Sequence, residues 1–138
     1  MIILDTNVVS ALMRDEPDQH VAEWLNQQPQ TSIWTTTVTV FEIQVGLQVM
    51  AAGKRKTALA EGFERFLDEI EHHIVVFDEM AARLAASLTA TRQKKGRVGE
   101  IRDTMIAGIV LAQHASLATR NTAHFADISA SIINPWAA

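Results

Sequence analysis

Short apolar runs alternate along this chain with longer stretches whose apolar residues recur at helical spacing. Met1-Ile2-Ile3-Leu4 predicts a short buried strand, and positions 7–13 a short helix. Glu16-Pro17-Asp18 predicts a second helix start with Pro17 in the first turn, and Val21, Trp24 and Leu25 continue it until Pro29. Ser32-Ile33-Trp34-Thr35 predicts another strand. Positions 37–52 predict a helix apolar almost all round, and such a helix is either buried or shared with another subunit. Gly53 reads as its stop. A helix over 55–71 turns Leu59, Phe63, Phe66, Leu67 and Ile70 inward. Ile74-Val75-Val76-Phe77 is a strand, 79–95 a helix closing near Gly96, and Glu100 to His114 another helix. Leu117-Ala118-Thr119 and Ser131-Ile132-Ile133 predict the last strands, with a turn or short helix over 121–125 between them. Strands alternating with helices predict one α/β domain over 1–138, an α/β/α sandwich around a mainly parallel sheet.

Composition narrows the class. A length of 138 residues suits one domain, and 48% hydrophobic with 20% charged residues is ordinary for a globular chain. The absence of cysteine excludes disulfides and thiolate metal sites and suits a reducing cytosol. The opening apolar run is too short for a signal or anchor, and no apolar stretch approaches the ~20 residues that span a bilayer. The expectation is a soluble cytoplasmic protein with no membrane partner. A net charge of −4 argues against passive nucleic-acid binding. It does not argue against a nuclease, which gathers acids in its site and sets basic residues on the rim. Two basic clusters exist, Lys54-Arg55-Lys56 and Arg92, Lys94, Lys95, Arg97 and Arg102; solvated helix ends are the plain alternative for both.

Three acids stand in apolar settings. Asp5 ends the first strand, Glu42 interrupts Val38-Thr39-Val40-Phe41-Glu42-Ile43, and Asp103 precedes Met105-Ile106-Ala107. No basic residue near Asp5 or Glu42 in sequence offers itself as a partner. An ionised carboxylate is costly to bury alone, and a hard cation such as Mg²⁺, which takes oxygen ligands, meets the need. Asp5 and the Thr119-Arg120-Asn121 turn both lie at carboxyl ends of strands, where open parallel sheets bind ligands. Asp103 shares a helical face with Ile106, Ala107 and Val110. Each acid also has a structural alternative: Asp5 as a helix cap, Glu42 as a solvated residue beside Gln44 and Gln48, and Asp103 as a first-turn acid or a partner of Arg97 or Arg102. Thr6 and Asn7 are placed to orient Asp5 or a bound water, and equally to serve as turn residues. The five histidines show no metal-ligand spacing and read as surface residues, although His124 falls near the crevice. Trp24, Trp34 and Trp136 read as core.

Four stretches in order resemble the motifs of PIN-domain ribonucleases, especially VapC-type toxins: Ile3-Leu4-Asp5-Thr6-Asn7-Val8, Thr37 to Ile43 with Gly46-Leu47, Arg102-Asp103-Thr104-Met105-Ile106-Ala107, and Leu117 to Phe125. The ending Asn134-Pro135-Trp136 resembles the FitB-like branch. The resemblance implies Asp5, Glu42 and Asp103 as acidic ligands of Mg²⁺, with Mn²⁺ as the alternative. The family's fourth acidic position matches Asn121, and where a variant of the family has an Asp three residues later this chain has His124. That departure weakens the fourth ligand and puts a full two-metal site in doubt.

The resemblance further implies an endoribonuclease toxin of a toxin–antitoxin pair. A bound cation would lower the pKa of a water and polarise the scissile phosphate, leaving 5′-phosphate and 3′-hydroxyl ends. Thr6, Asn7, Thr119 and Asn121 would position water or phosphate, and Arg120 with the 92–102 cluster would contact the RNA backbone. The implied partners are RNA, a VapB-type antitoxin whose arginine enters the acidic crevice, and a second copy in a homodimer. A phosphotransfer site of the haloacid-dehalogenase kind is disfavoured because Asn7 stands where its second acid would be, and a receiver domain because neither paired early acids nor a late strand-end lysine is present. A PIN-like module that binds a protein without catalysis is the other reading, and Asn121 is what favours it.

Overall fold

Ile3 and Leu4 point to opposite faces of a strand, and two apolar clusters follow from that alternation. The computed structural model describes residues 1–138. Leu4 belongs to a cluster with Val8, Val9, Val21, Trp24, Phe63, Phe66 and Ala118. Ile3 belongs to a second cluster with Ile106, Ile109, Val110, Leu117 and Phe125. The sheet separates the two, which gives an α/β/α sandwich.

Five strands build the sheet: β1 (Ile2–Leu4), β2 (Ile33–Thr36), β3 (Ile74–Val75), β4 (Ser116–Ala118) and β5 (Ile132–Ile133). Their order is β3-β2-β1-β4-β5, and every pairing is parallel. Helices α1 (Thr6–Leu12), α2 (Gln19–Asn26), α3 (Thr37–Val49) and α4 (Lys54–Glu69) contribute to the Leu4 cluster. Helices α5 (Glu79–Lys94) and α6 (Ile101–Gln113) pack on the Ile3 side. The chain runs outward from β1 through β2 to β3, then crosses to β4 on the other side of β1. A crevice therefore opens beyond the carboxyl ends of β1 and β4. No helix is long and apolar enough to cross a membrane.

Several boundaries differ from the sequence reading, each for a local reason. Asp18, not Pro17, begins the second helix: its carboxylate accepts the Val21 N–H at 3.2 Å, which leaves Pro17 outside. Helix α3 ends at Val49 because Met50 is extended, and Gly53 opens α4 at a positive φ of 157° rather than closing α3. Strand β3 stops at Val75, since the Phe77 N–H turns to Thr37 Oγ1 and Asp78 caps α5. Gly96, in the left-handed region at φ 70°, terminates α5 as expected.

Helix α3 is not buried all round. Phe41 is 59% exposed and Val49 78%, and with Val45 they form an i, i+4, i+8 stripe. Arg92 departs in the other direction. It is 5% exposed, and its guanidinium grips Asp127 through two bonds of 2.8 Å, donates to Thr104 Oγ1 at 3.1 Å and to the His124 carbonyl at 2.9 Å. Arg92 is therefore a structural clamp and is withdrawn from the set of residues able to meet RNA.

Candidate active site

Asp5 sits where β1 hands over to α1, 2% exposed. Its Oδ1 accepts the Thr6 N–H at 2.8 Å, so the capping alternative is realised. Its Oδ2 accepts the Thr119 hydroxyl at 2.7 Å and the Asn7 amide at 3.4 Å. No cation pairs with it. Burial pushes its pKa up to about 6; the Thr119 and Thr6 hydrogen bonds oppose that shift, and the charges of Asp103 and Glu42 add to it. The charges of the other two acids named from sequence thus reach Asp5.

Glu42 reaches the same place from α3. Thr6 Oγ1 donates to Glu42 Oε1 at 2.9 Å, so one threonine serves two acids, Asp5 through its backbone and Glu42 through its hydroxyl. Having given its proton to Glu42, the Thr6 hydroxyl accepts from Thr39 Oγ1 at 3.1 Å, and Thr39 accepts in turn from Thr36 at 3.4 Å. Burial raises the Glu42 pKa, while Thr6 and Arg102 hold it down. Arg102 Nη1 lies 3.7 Å from Glu42 Oε2, a cationic partner that sequence inspection did not reveal because α3 and α6 are far apart in the chain.

Asp103 enters from the first turn of α6, where Glu100 caps the helix by accepting the Arg102 and Asp103 N–H groups. Its carboxylate does not pair with Arg97 or Arg102. It meets His124 instead, Nδ1 to Oδ2 at 3.0 Å. His124 was read from sequence as a surface histidine; it is exposed, yet it faces the site acid. A cavity of about 340 Å³ opens beside this pair, with Arg97, Gly99 and Ala123 in its wall.

The loop after β4 completes the rim. Thr119 donates to Asp5 and accepts the Asn121 N–H at 3.0 Å. Asn121 is exposed and its side chain caps nothing. The Arg120 N–H binds Asn7 Oδ1 at 3.2 Å. The three acids, Thr6, Asn7, Thr119, Arg120 and Asn121 therefore share one end of the sheet.

The donor set suits a hard divalent cation: carboxylate oxygens from three elements, one of them buried without a counter-charge. The carboxylates are not already gathered as a cage, for no three acid or histidine side chains are disposed to hold an ion. Each is turned toward an internal donor: Asp5 to Thr119, Glu42 to Thr6 and Arg102, Asp103 to His124.

The family model for the PIN domain matches residues 2–130. The chain belongs to the PIN-domain family. This PIN domain is 37% identical over 137 residues to the VapC ribonuclease Y4jK of Sinorhizobium fredii, covering 99% of this chain and 98% of that protein. It is 31% identical over 137 residues to the toxin FitB of Neisseria gonorrhoeae, covering 99% of each. The crystal structure of FitAcB from Neisseria gonorrhoeae superposes with a TM-score of 0.87 at 31% identity, over 99% of both chains.

Proposed function

We propose that this PIN domain is a divalent-metal-dependent endoribonuclease and the toxin of a toxin–antitoxin pair. The observation that carries the reading is Asp5, a buried carboxylate with no cation, set beside Glu42 and Asp103 at the carboxyl end of the sheet. Asp5, Glu42 and Asp103 would hold the ion, with Mg²⁺ first and Mn²⁺ second as candidates. When bound, such an ion supplies a water of lowered pKa and polarises a phosphate oxygen. The chain's own residues aim and anchor. Thr119 and Thr6 fix the Asp5 and Glu42 carboxylates, Asn7 ties Asp5 to the Arg120 loop, and Asn121 offers a free amide to water or phosphate. Arg120 is the candidate backbone-phosphate contact. Arg102 already serves Glu42 and Glu100.

The relatives named a ribonuclease and a toxin support the substrate and the role. A nuclease acting on cellular RNA would work in the cytoplasm. The inhibitory partner is a VapB-type antitoxin presenting an arginine to the acids. The exposed Phe41, Val45 and Val49 stripe of α3 supports a homodimer.

Expression in a bacterial host tests the toxin role. Wild type arrests growth with accumulation of new 5′-phosphate RNA ends, and Asp5→Asn permits growth. Normal growth with the wild type at equal expression would contradict it. The non-acidic Asn121 favours one competing reading, a binding module without catalysis. Partner binding with no RNA cleavage in any metal would select that reading.

A further inference from the structure

The segment after β5 builds a support for the site's rim. Asn134 Oδ1 accepts the Trp136 backbone N–H at 3.0 Å, and the indole Nε1 donates to Asp18 Oδ2 at 3.2 Å. Asp18 is itself fixed as the cap of α2. The indole is thus held at its backbone and at its ring nitrogen, and it packs against the core cluster around Leu4.

The Arg120 guanidinium carbon lies 4.8 Å from the Trp136 ring centroid, within cation–π range. The Arg120 backbone is pinned separately by Asn7, and its neighbour Thr119 binds Asp5. The guanidinium makes no ion pair within the chain, unlike those of Arg92 and Arg102. A guanidinium seated over a ring has its face satisfied while its N–H donors stay available, and it loses less freedom when it binds an oxyanion. An arginine so placed beside an acidic site is a ready phosphate contact.

We infer that Trp136 is a positioning residue that holds Arg120 for a backbone phosphate of the RNA substrate. The inference rests on the ribonuclease reading above. Trp136 does not itself touch the RNA, so its removal acts through Arg120.

The test is binding of a short labelled single-stranded RNA, followed by fluorescence anisotropy in EDTA over a range of NaCl concentrations, with cleavage kinetics in Mn²⁺ alongside. Arg120→Ala lowers the salt slope of log K by about 0.7, the value for one phosphate on a single strand. Trp136→Leu, which keeps apolar bulk without a π face, lowers it equally and raises KM while kcat holds. Trp136→Phe, which keeps the face, retains the wild-type slope. The double variant Arg120→Ala/Trp136→Leu is no worse than either single. A wild-type slope in a folded Trp136→Leu, or losses that add in the double variant, would overturn the inference while leaving a cleaving wild type as a ribonuclease. A wild type that neither binds nor cleaves RNA removes both.

Discussion

Thr119 donates its hydroxyl to Asp5 Oδ2 over 2.7 Å, joining residues 114 apart in the chain across the ends of neighbouring strands. That bond, with the Thr6 N–H and the Asn7 amide beside it, is what the chain gives Asp5 in place of a counter-charge. It does not suffice, since the Asp5 pKa still stands near 6 because of burial.

The first prediction is a pH effect on metal-free stability. Asp5 binds its proton more tightly folded than unfolded, so the native state holds more protons between pH ~4 and pH ~6 and loses stability as pH rises through that window. The shift from 3.8 to about 6 corresponds to about 3 kcal/mol. Asp5→Asn removes the charge and escapes the loss. Urea melts in EDTA should show the variant gaining on wild type from pH ~4 to pH ~6, after which the gap is constant. A gap independent of pH would mean that Asp5 does not carry the strain. Divalent metal should then stabilise wild type and leave Asp5→Asn unmoved.

His124 orients Asp103 through its Nδ1 contact. Loss of a partner that holds a ligand commonly lowers metal affinity by about tenfold or more. His124→Ala should therefore weaken Mn²⁺ binding by about tenfold in calorimetry, with little change in thermal stability because the ring is exposed. Unchanged affinity would return His124 to the status of a surface residue.

Arg92→Ala should be strongly destabilising. It strips Asp127 of its bidentate partner and removes the donors to Thr104 and to the His124 carbonyl. Breaking a buried pair in this way costs about 3 kcal/mol or more, read as a lower urea midpoint. Arg92 also holds Asp127 at a pKa of about 2, so this pair's stability is present above pH ~4 and fades as pH falls toward ~2.

Two helical glycines should respond in opposite directions. A Cβ on Gly62 would collide with the Met13 carbonyl oxygen, so Gly62→Ala must push α4 away from α1. Overpacking of this kind costs about 3 kcal/mol, more than alanine returns in helix propensity. A Cβ on Gly46 meets nothing within 4 Å, so Gly46→Ala should add up to about 1 kcal/mol. Thermal melts of both variants check the pair.

The features readable in the sequence are those governed by local pattern. The Ile3–Leu4 alternation, the Asp103 face of α6 and the Gly96 stop depend on neighbours within a few residues. The short polar residues after the first strand and at 119–121 were readable as candidate site residues for the same reason, and the structure sets them together. Pattern could not tell which apolar positions of α3 meet the core, because it records hydrophobicity and not what lies opposite; hence the exposed Phe41 and Val49. Nor could it find partners set by tertiary packing. Arg92 falls in a basic cluster that sequence offers to RNA, with a solvated helix end as the alternative, but Asp127 buries it; Arg102 is next to Asp103 in sequence yet turns to Glu42. The signal for His124 was present, three residues beyond Asn121 in the loop that follows Thr119, but an exposed histidine carries no mark of its partner.

The most direct measurement is cleavage of defined RNA by purified protein in Mg²⁺ or Mn²⁺, with EDTA and with Asp5→Asn as controls. The account predicts metal-dependent cleavage yielding 5′-phosphate ends, abolished by EDTA and reduced at least about a hundredfold by Asp5→Asn, as expected when a group that organises the reacting site is removed. Cleavage that persists in EDTA or in Asp5→Asn, or no cleavage of any RNA class by folded, partner-free protein, would contradict it.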